Sequence, residues 1–133
     1  MAAIMTRSEI NELCKKSRST GSLTLQGAGL KKIPPQVVHP FDNLVAGESS
    51  QYVVLLTRLN LQDNEIDRLP RDFGEIGEEL HLLAMRGNQL EKLPKCISGC
   101  AGLKSIDLSR NLISEIESFS LPVLATLDLS NNK

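Results

Sequence analysis

The chain has 133 residues, of which 41% are hydrophobic but only 3% aromatic, and its formal net charge is −1. This length predicts one domain, and the composition predicts an aliphatic core. The near-neutral charge excludes the basic stripe expected of a nucleic-acid-binding protein. No apolar run reaches the ~18 residues of a membrane span. Residues 1–17 lack the apolar core of a signal peptide, and three cysteines suit a reducing compartment better than a disulfide framework. We therefore expect a cytoplasmic location, with the nucleus as the alternative.

Residues 1–20 are predicted to form one amphipathic helix that covers the start of the domain. Thr6 and Glu9 have the spacing of a capping box, and Gly21 is a suitable end for the helix. Positive charge complements the helix dipole at the C-terminal end, which carries Lys15, Lys16 and Arg18. We interpret these cations as a solvated helix end, and the alternative is a patch for lipid or an acidic partner.

Residues 21–133 repeat the pattern LxxLxLxxNxLxxLPxxF about four and a half times. The stretch Leu56–Phe73 fills every position, and further copies start at Leu80, Leu103 and, incompletely, Leu124. A weaker first copy, Leu23–Val37, has Ala28 in place of the asparagine. The four asparagines lie 24, 23 and 21 residues apart, at Asn64, Asn88, Asn111 and Asn132. A fixed period of this size is typical of a leucine-rich repeat solenoid, in which each repeat packs on its neighbours.

In such a repeat the LxL segment is a short strand with both leucines in the core. We expect the asparagines to form a structural ladder, because their side chains can satisfy buried main-chain groups at each bend. Side chains between the leucines should then point outward, towards a partner. The predicted partner-binding residues are Arg58, Asn60, Gln62, Leu82, Ala84, Arg86, Asp107, Ser109 and Asp128.

Asp107 and Asp128 occupy the same position on adjacent predicted strands, about 4.8 Å apart at the backbone. Like charges at this spacing are mildly unfavourable. One hypothesis is that a partner Lys or Arg binds between them, and Arg110 is a second group that could offset the repulsion. The alternative is two hydrated carboxylates.

The connection between the first two copies is longer than the others, with the extra residues near 38–54. Insertions in repeat proteins map to surface loops and often carry function. Phe41 and Leu44 could pack under the sheet, whereas Ser49, Ser50 and Tyr52 are candidates for phosphorylation. A second irregularity is Glu117, which stands at the position of the proline in the fourth copy, so we expect its return segment to differ in form.

The residues that usually carry chemistry are sparse and scattered. His39 and His81 have no neighbours in the sequence that suggest a triad. Cys96 and Cys100 have no further ligand nearby that would complete a zinc site. We therefore predict no enzymatic activity, no metal and no cofactor.

The repeats resemble the leucine-rich repeat family over about residues 21–133, in particular intracellular members with LPxxF endings. The basic helix followed by SLTLQGAGLKKIPPQV resembles the start of the leucine-rich repeat-containing protein forty type. This resemblance implies an α/β fold: a right-handed solenoid forming a curved horseshoe segment, with a parallel sheet on the concave face and an N-terminal capping helix. It also implies a non-catalytic scaffold or adaptor that binds protein partners in signalling, polarity or complex assembly.

The last copy leaves apolar residues at an uncapped C-terminal end, namely Leu124, Leu127 and Leu129. One expectation is that the chain is a fragment of a longer protein. It would then be an N-terminal targeting or regulatory segment of a larger signalling protein or enzyme. The other expectation is that a partner or a second copy covers this edge, which would allow self-association.

Overall fold

The computed structural model describes residues 5–39 and 55–133. Most of the predicted insertion therefore lies outside the described residues. The proposed packing of Phe41 and Leu44 and the candidate modification sites Ser49, Ser50 and Tyr52 belong to this part.

The N-terminal helix, α1, spans Arg7–Thr20. It does not extend back towards residue 1 as predicted, because Thr6 is extended and caps the helix. The Thr6 hydroxyl accepts from the Glu9 N–H at 3.2 Å, and the Glu9 carboxylate accepts from the Thr6 N–H at 3.4 Å. Gly21 ends the helix in the left-handed region, with φ of 78°, which glycine adopts without steric cost.

The last turn of α1 corrects the interpretation of its cations. Lys15 and Lys16 are exposed, but Arg18 is only 4% exposed. Arg18 lies near Cys14, whose buried thiol has its pKa raised to about 11 by desolvation, an effect that the Arg18 charge partly offsets. The solvated helix end therefore consists of the two lysines alone.

Parallel strands form the main sheet, in the order β1, β2, β3, β5, β7. Within the described residues, the strands are β1 (Ser22–Thr24), β2 (Arg58–Asn60), β3 (Leu82–Ala84), β4 (Lys92–Leu93), β5 (Ser105–Asp107), β6 (Glu115–Ile116) and β7 (Thr126–Asp128). Each sheet strand pairs with the equivalent residues of the next repeat. The long connection before β2 does not change this, since Leu23 still pairs with Leu59.

The core lies on one side of this sheet and is built from the LxL positions. Leu23, Leu59, Leu83 and Ile106 are each at most 2% exposed. Strand alternation sends these side chains to the core and their neighbours to the opposite face. The helix α1 packs against β1 at the start of the strand order, with Ile10 and Cys14 buried in the same core.

The return segments carry short helices: α2 (Pro35–Val38) and two 3-10 helices, η1 (Phe73–Ile76) and η2 (Lys95–Gly99). η1 and η2 pack closely at two glycines, because a methyl group on Gly99 would lie 2.6 Å from the Gly74 Cα. The fourth repeat differs, as expected from Glu117. Its segment β6 pairs in parallel with β4, and no helix follows β6 in residues 117–133.

Candidate protein-binding surface

A ladder of asparagine side chains fixes the bend that follows each strand. Asn88 is typical: its Nδ2 donates to the carbonyls of Leu61 and Met85, both at 2.9 Å, and its Oδ1 accepts from the Ile66 N–H at 3.1 Å. Asn64, Asn111 and Asn132 repeat this arrangement. Each of these four asparagine side chains bonds its own repeat to the preceding one. In the first repeat, which has Ala28 instead, the Ala28 N–H donates to Asn64 Oδ1 at 3.0 Å.

The side of the main sheet opposite the core is called here the exposed sheet face. Strand register brings the predicted partner-binding residues together there in rows. Arg58 pairs with Leu82 in one row, and Asn60 with Ala84 and then Asp107 and Asp128 in the next. Gln62, Arg86 and Ser109 follow the strands, and their carbonyls accept from the preceding repeat.

The most apolar point of the exposed sheet face is Leu82, which is 37% exposed. Its register neighbour on β2, Arg58, is also exposed, as is Arg86 at the end of β3. A solvated Leu with arginines near it is favourable for binding, because arginine and large apolar groups contribute strongly at protein interfaces.

Two predicted contact residues are less available than expected. Ala84 is 8% exposed and Ser109 is 4% exposed. Ala84 is short and lies between the flanking strands that carry Asn60 and Asp107, and the Ser109 hydroxyl donates to Asp107 Oδ1 at 2.6 Å. Little of either side chain is therefore open to a partner, and the Ser109 hydroxyl orients Asp107.

Asp107 and Asp128 lie side by side in register, as predicted. Each carboxylate accepts from the N–H and the hydroxyl of the serine two positions later: Ser109 at 3.0 and 2.6 Å, and Ser130 at 3.0 and 2.7 Å. The pKa of Asp128 lies below its ordinary value. The hydrogen bond from the Ser130 hydroxyl is the largest cause, followed by the bond from the Ser130 N–H, and the charge of Arg86 adds to this effect. Serine donors and Arg86 thus favour the charged form of Asp128, and Arg110 is not among the causes.

The structure also forms a cluster that the sequence did not indicate. His39 Nε2, just after α2, lies 2.6 Å from Asp72 Oδ2 and 3.6 Å from Glu75 Oε2. The sequence suggested no partner for His39 among its neighbouring residues, and both carboxylates come from a distant return segment. The spacing of Asp72 and Glu75 around a 3-10 turn was a usable signal, but the approach of His39 depends on how the long connection returns.

Glu117, which stands at the position of the proline, has a defined contact. Its Oε1 accepts from the Lys95 N–H at 2.9 Å, at the start of η2, and its Oε2 lies 3.7 Å from Lys92 Nζ. The Lys95 N–H is the main cause that lowers the pKa of Glu117, with the charges of Lys92 and Lys95 adding to it. Glu117 thus joins the fourth repeat to the third.

The C-terminal edge of the core is more open than its centre. Leu127 and Leu129 are only half-buried, whereas the equivalent residues Ile106 and Leu108 are buried. Nearby, Ile116 and Val123 are each 49% exposed. The edge strand β7 bonds to β5 on one side.

The three cysteines are free thiols. Burial raises the pKa of Cys100 to about 11 and also raises the pKa of the half-buried Cys96. The Cys100 thiol donates to the Phe73 carbonyl at 3.7 Å, and the Cys96 thiol to the Pro70 carbonyl at 3.5 Å. Neither thiol takes part in a cluster of three metal-ligating side chains among the described residues.

Stacked parallel strands, asparagines at equivalent bends and a core shared between successive copies define a repeat protein. The Leucine rich repeat family profile matches residues 54–113 and 78–133, together more than half of the chain. The chain belongs to the leucine-rich repeat family. Domains of this family generally mediate protein–protein interaction and are typically non-catalytic.

Two characterised proteins are similar to the chain. An adenylate cyclase of Podospora anserina is 27% identical over 121 residues, which are 89% of this chain and 5% of the cyclase. The human leucine-rich repeats and immunoglobulin-like domains protein 3 is 29% identical over 93 residues, which are 68% of this chain and 8% of that protein. The chain thus spans a small part of each relative. Among the described residues, no helix is long and apolar enough to cross a membrane.

Proposed function

We propose that this chain is a non-catalytic scaffold or adaptor that binds a protein partner on the exposed sheet face. The observation that carries the proposal is the pairing of exposed Arg58 with exposed Leu82 in the centre of this face. The partner contacts are Arg58, Asn60, Gln62, Leu82, Arg86, Asp107 and Asp128. The sheet is held by main-chain bonds and the asparagine ladder, so the partner meets a preorganised surface and little ordering cost falls on this chain.

Further features of the proposal concern the architecture and its setting. The repeats form a right-handed solenoid with the exposed sheet face on its concave side, and α1 serves as the cap of the first repeat, supported by its packing on β1. The N-terminal part belongs to the leucine-rich repeat-containing protein forty type. The chain acts in the cytoplasm, in signalling.

The experiment compares partner capture by wild-type protein and by a combined Arg58→Glu, Leu82→Asp and Arg86→Glu variant. All three positions are exposed, so circular dichroism should show an unchanged fold. A matched control carries Arg71→Glu and Lys95→Glu, two exposed cations on return segments away from the exposed sheet face. Captured proteins are identified by mass spectrometry and then titrated against each purified variant.

Partners that are lost in the sheet-face variant and kept by the control support the proposal. Partners that bind both variants as well as the wild type contradict it, because the contact surface must then lie elsewhere.

A second candidate function is a targeting or regulatory segment within a larger signalling protein or enzyme. It is favoured by the lengths of the two relatives, of which the chain spans 5% and 8%. The half-buried Leu127 and Leu129 would then pack on a following repeat, or on a second copy through self-association. A concentration series in analytical ultracentrifugation separates these cases, since only self-association gives a mass that rises with concentration.

A further inference from the structure

We propose that His39, Asp72 and Glu75 form a binding site for a divalent transition-metal ion of the zinc class, which joins α2 in the first repeat to η1 in the second. The donor atoms are one imidazole nitrogen and two carboxylate oxygens, and all lie within 4.8 Å of one another. This inference is independent of the exposed sheet face.

The geometry is close to that of a bound ion. His39 Nε2 lies 2.6 Å from Asp72 Oδ2 and 3.6 Å from Glu75 Oε2. Zinc bonds of about 2.0–2.2 Å in a tetrahedron require ligand atoms to be roughly 3.3–3.6 Å apart. The observed separations bracket this range, so small side-chain rotations are enough to receive an ion.

The local backbone explains why the two carboxylates converge. The Glu75 N–H donates to the Asp72 carbonyl at 2.9 Å, which closes a 3-10 turn. In that turn the side chains at positions i and i+3 lie on the same side. Two carboxylates therefore face a single imidazole nitrogen. A doubly charged cation interacts favourably with both of them, whereas the proton on that nitrogen makes one good hydrogen bond.

The donor set selects the class of ion. Imidazole with carboxylates suits zinc and related transition metals, whereas magnesium and calcium prefer oxygen donors alone. The side chains of His39, Asp72 and Glu75 are 32%, 44% and 63% exposed. An ion can therefore enter from solvent and keep water in its remaining coordination position.

A bound ion would cross-link His39 and Asp72, which are 33 residues apart in the chain. An ion that binds the folded state and not the unfolded one stabilises the fold by mass action. Cross-links that close long loops restrict the unfolded chain most. Zinc should therefore raise the melting temperature, because it would stabilise the contact between α2 and η1.

The test uses the full chain, freed of metal by chelation and dialysis, titrated with zinc chloride in a calorimeter at neutral pH. We expect one ion per chain and a raised melting temperature. His39→Gln and Glu75→Gln should each weaken zinc binding at least about tenfold, as expected when a metal ligand is lost. Glu75 is exposed, so its variant should fold. Affinity should also fall on acidification, because protons compete for the ligands.

Two control variants address the remaining donors. His81→Gln removes the other histidine, and Cys96→Ser removes the partly exposed thiol. Both should bind zinc as the wild type does. The proposal is overturned if zinc does not bind, if His39→Gln and Glu75→Gln leave the affinity unchanged, or if a control variant abolishes binding. Equal binding of magnesium or calcium would overturn the assignment to the zinc class.

Discussion

Asn88 donates from its side-chain amide to the main-chain carbonyl of Leu61, in the preceding repeat, at 2.9 Å. This bond crosses the boundary between two repeats, and the same side chain also accepts from the Ile66 N–H. Asn88 is 5% exposed, so water cannot easily replace it. Each rung of the ladder is therefore a polar contact that holds neighbouring repeats together inside the core.

Replacing Asn88 with leucine should destabilise the fold by on the order of 2 kcal/mol, because buried main-chain groups lose their partners. Urea unfolding followed by circular dichroism measures the change. Gln89→Leu, at the exposed neighbouring position, is the control and should change the free energy of unfolding little. Asn132→Leu should cost less than Asn88→Leu, because Asn132 is only half-buried. Equal stability of Asn88→Leu and the wild type would contradict a stabilising ladder.

Glu117 should make the stability depend on pH. Its folded-state pKa lies below the ordinary value of 4.5, so its stabilising effect is complete above the unfolded-state pKa and is lost as the pH falls through the folded-state pKa. The wild type should therefore melt at a higher temperature than Glu117→Gln near neutral pH, and the gap should narrow as the pH falls from the ordinary pKa through the folded-state pKa.

Thermal melts of wild type and Glu117→Gln between pH 7 and pH 3 measure this gap. Glu115→Gln is the matched control, since Glu115 is exposed and has no side-chain hydrogen bond to the described residues. A gap that stays constant over the whole range would mean that the Glu117 charge is not the cause.

The thiols should react in a fixed order. Thiolate is the reactive form, and burial raises the pKa of Cys14 and Cys100 to about 11. Cys96 is half-buried and should be the one thiol per native chain that a disulfide reagent labels at pH 8. All three should react in denaturant. Cys96→Ser should remove the native labelling, and labelling of two thiols at one rate in the native protein would contradict the described burial.

Asp107 and Asp128 should contribute to partner binding as a pair. Their carboxylates lie in register on the exposed sheet face, and each is oriented by a serine. Once a partner is identified, replacing both aspartates with asparagine should weaken binding by about 1–3 kcal/mol if a partner cation binds between them. Surface plasmon resonance measures the affinity, and Ser105→Ala, also on β5, is the control. An unchanged affinity would leave two hydrated carboxylates as the correct interpretation.

The repeat period was sufficient to predict the strands, because leucines two positions apart can share one core only in an extended segment. It was also sufficient to predict where the asparagines lie, since Asn64 and Asn88 occur at the same point of each copy. The burial of Ala84 and Ser109 was not predictable in this way. It depends on which neighbouring groups surround a side chain, and the repeat pattern treats all positions between the leucines as equivalent.

The contact between His39 and Asp72 shows more clearly that the repeat pattern cannot predict contacts between distant residues. Asp72 and Glu75 lie on a regular return segment and were open to prediction from their spacing. His39 lies at the edge of the long connection, where the repeat pattern is interrupted. Departures from the pattern were nevertheless informative, since Glu117 in place of proline marks the repeat whose return segment has no helix.

The length of the first connection has a small effect on chain entropy. The bond from the Leu30 N–H to Asn64 spans 34 residues, whereas the equivalent bond from the Ile66 N–H to Asn88 spans 22. Closing the longer loop costs only about 0.4 kcal/mol more, because the entropy varies with the logarithm of loop length. The pairing of β1 with β2 therefore depends only weakly on the number of residues that connect the two strands. For protein engineering, this connection is the natural position at which to insert a tag or a binding peptide.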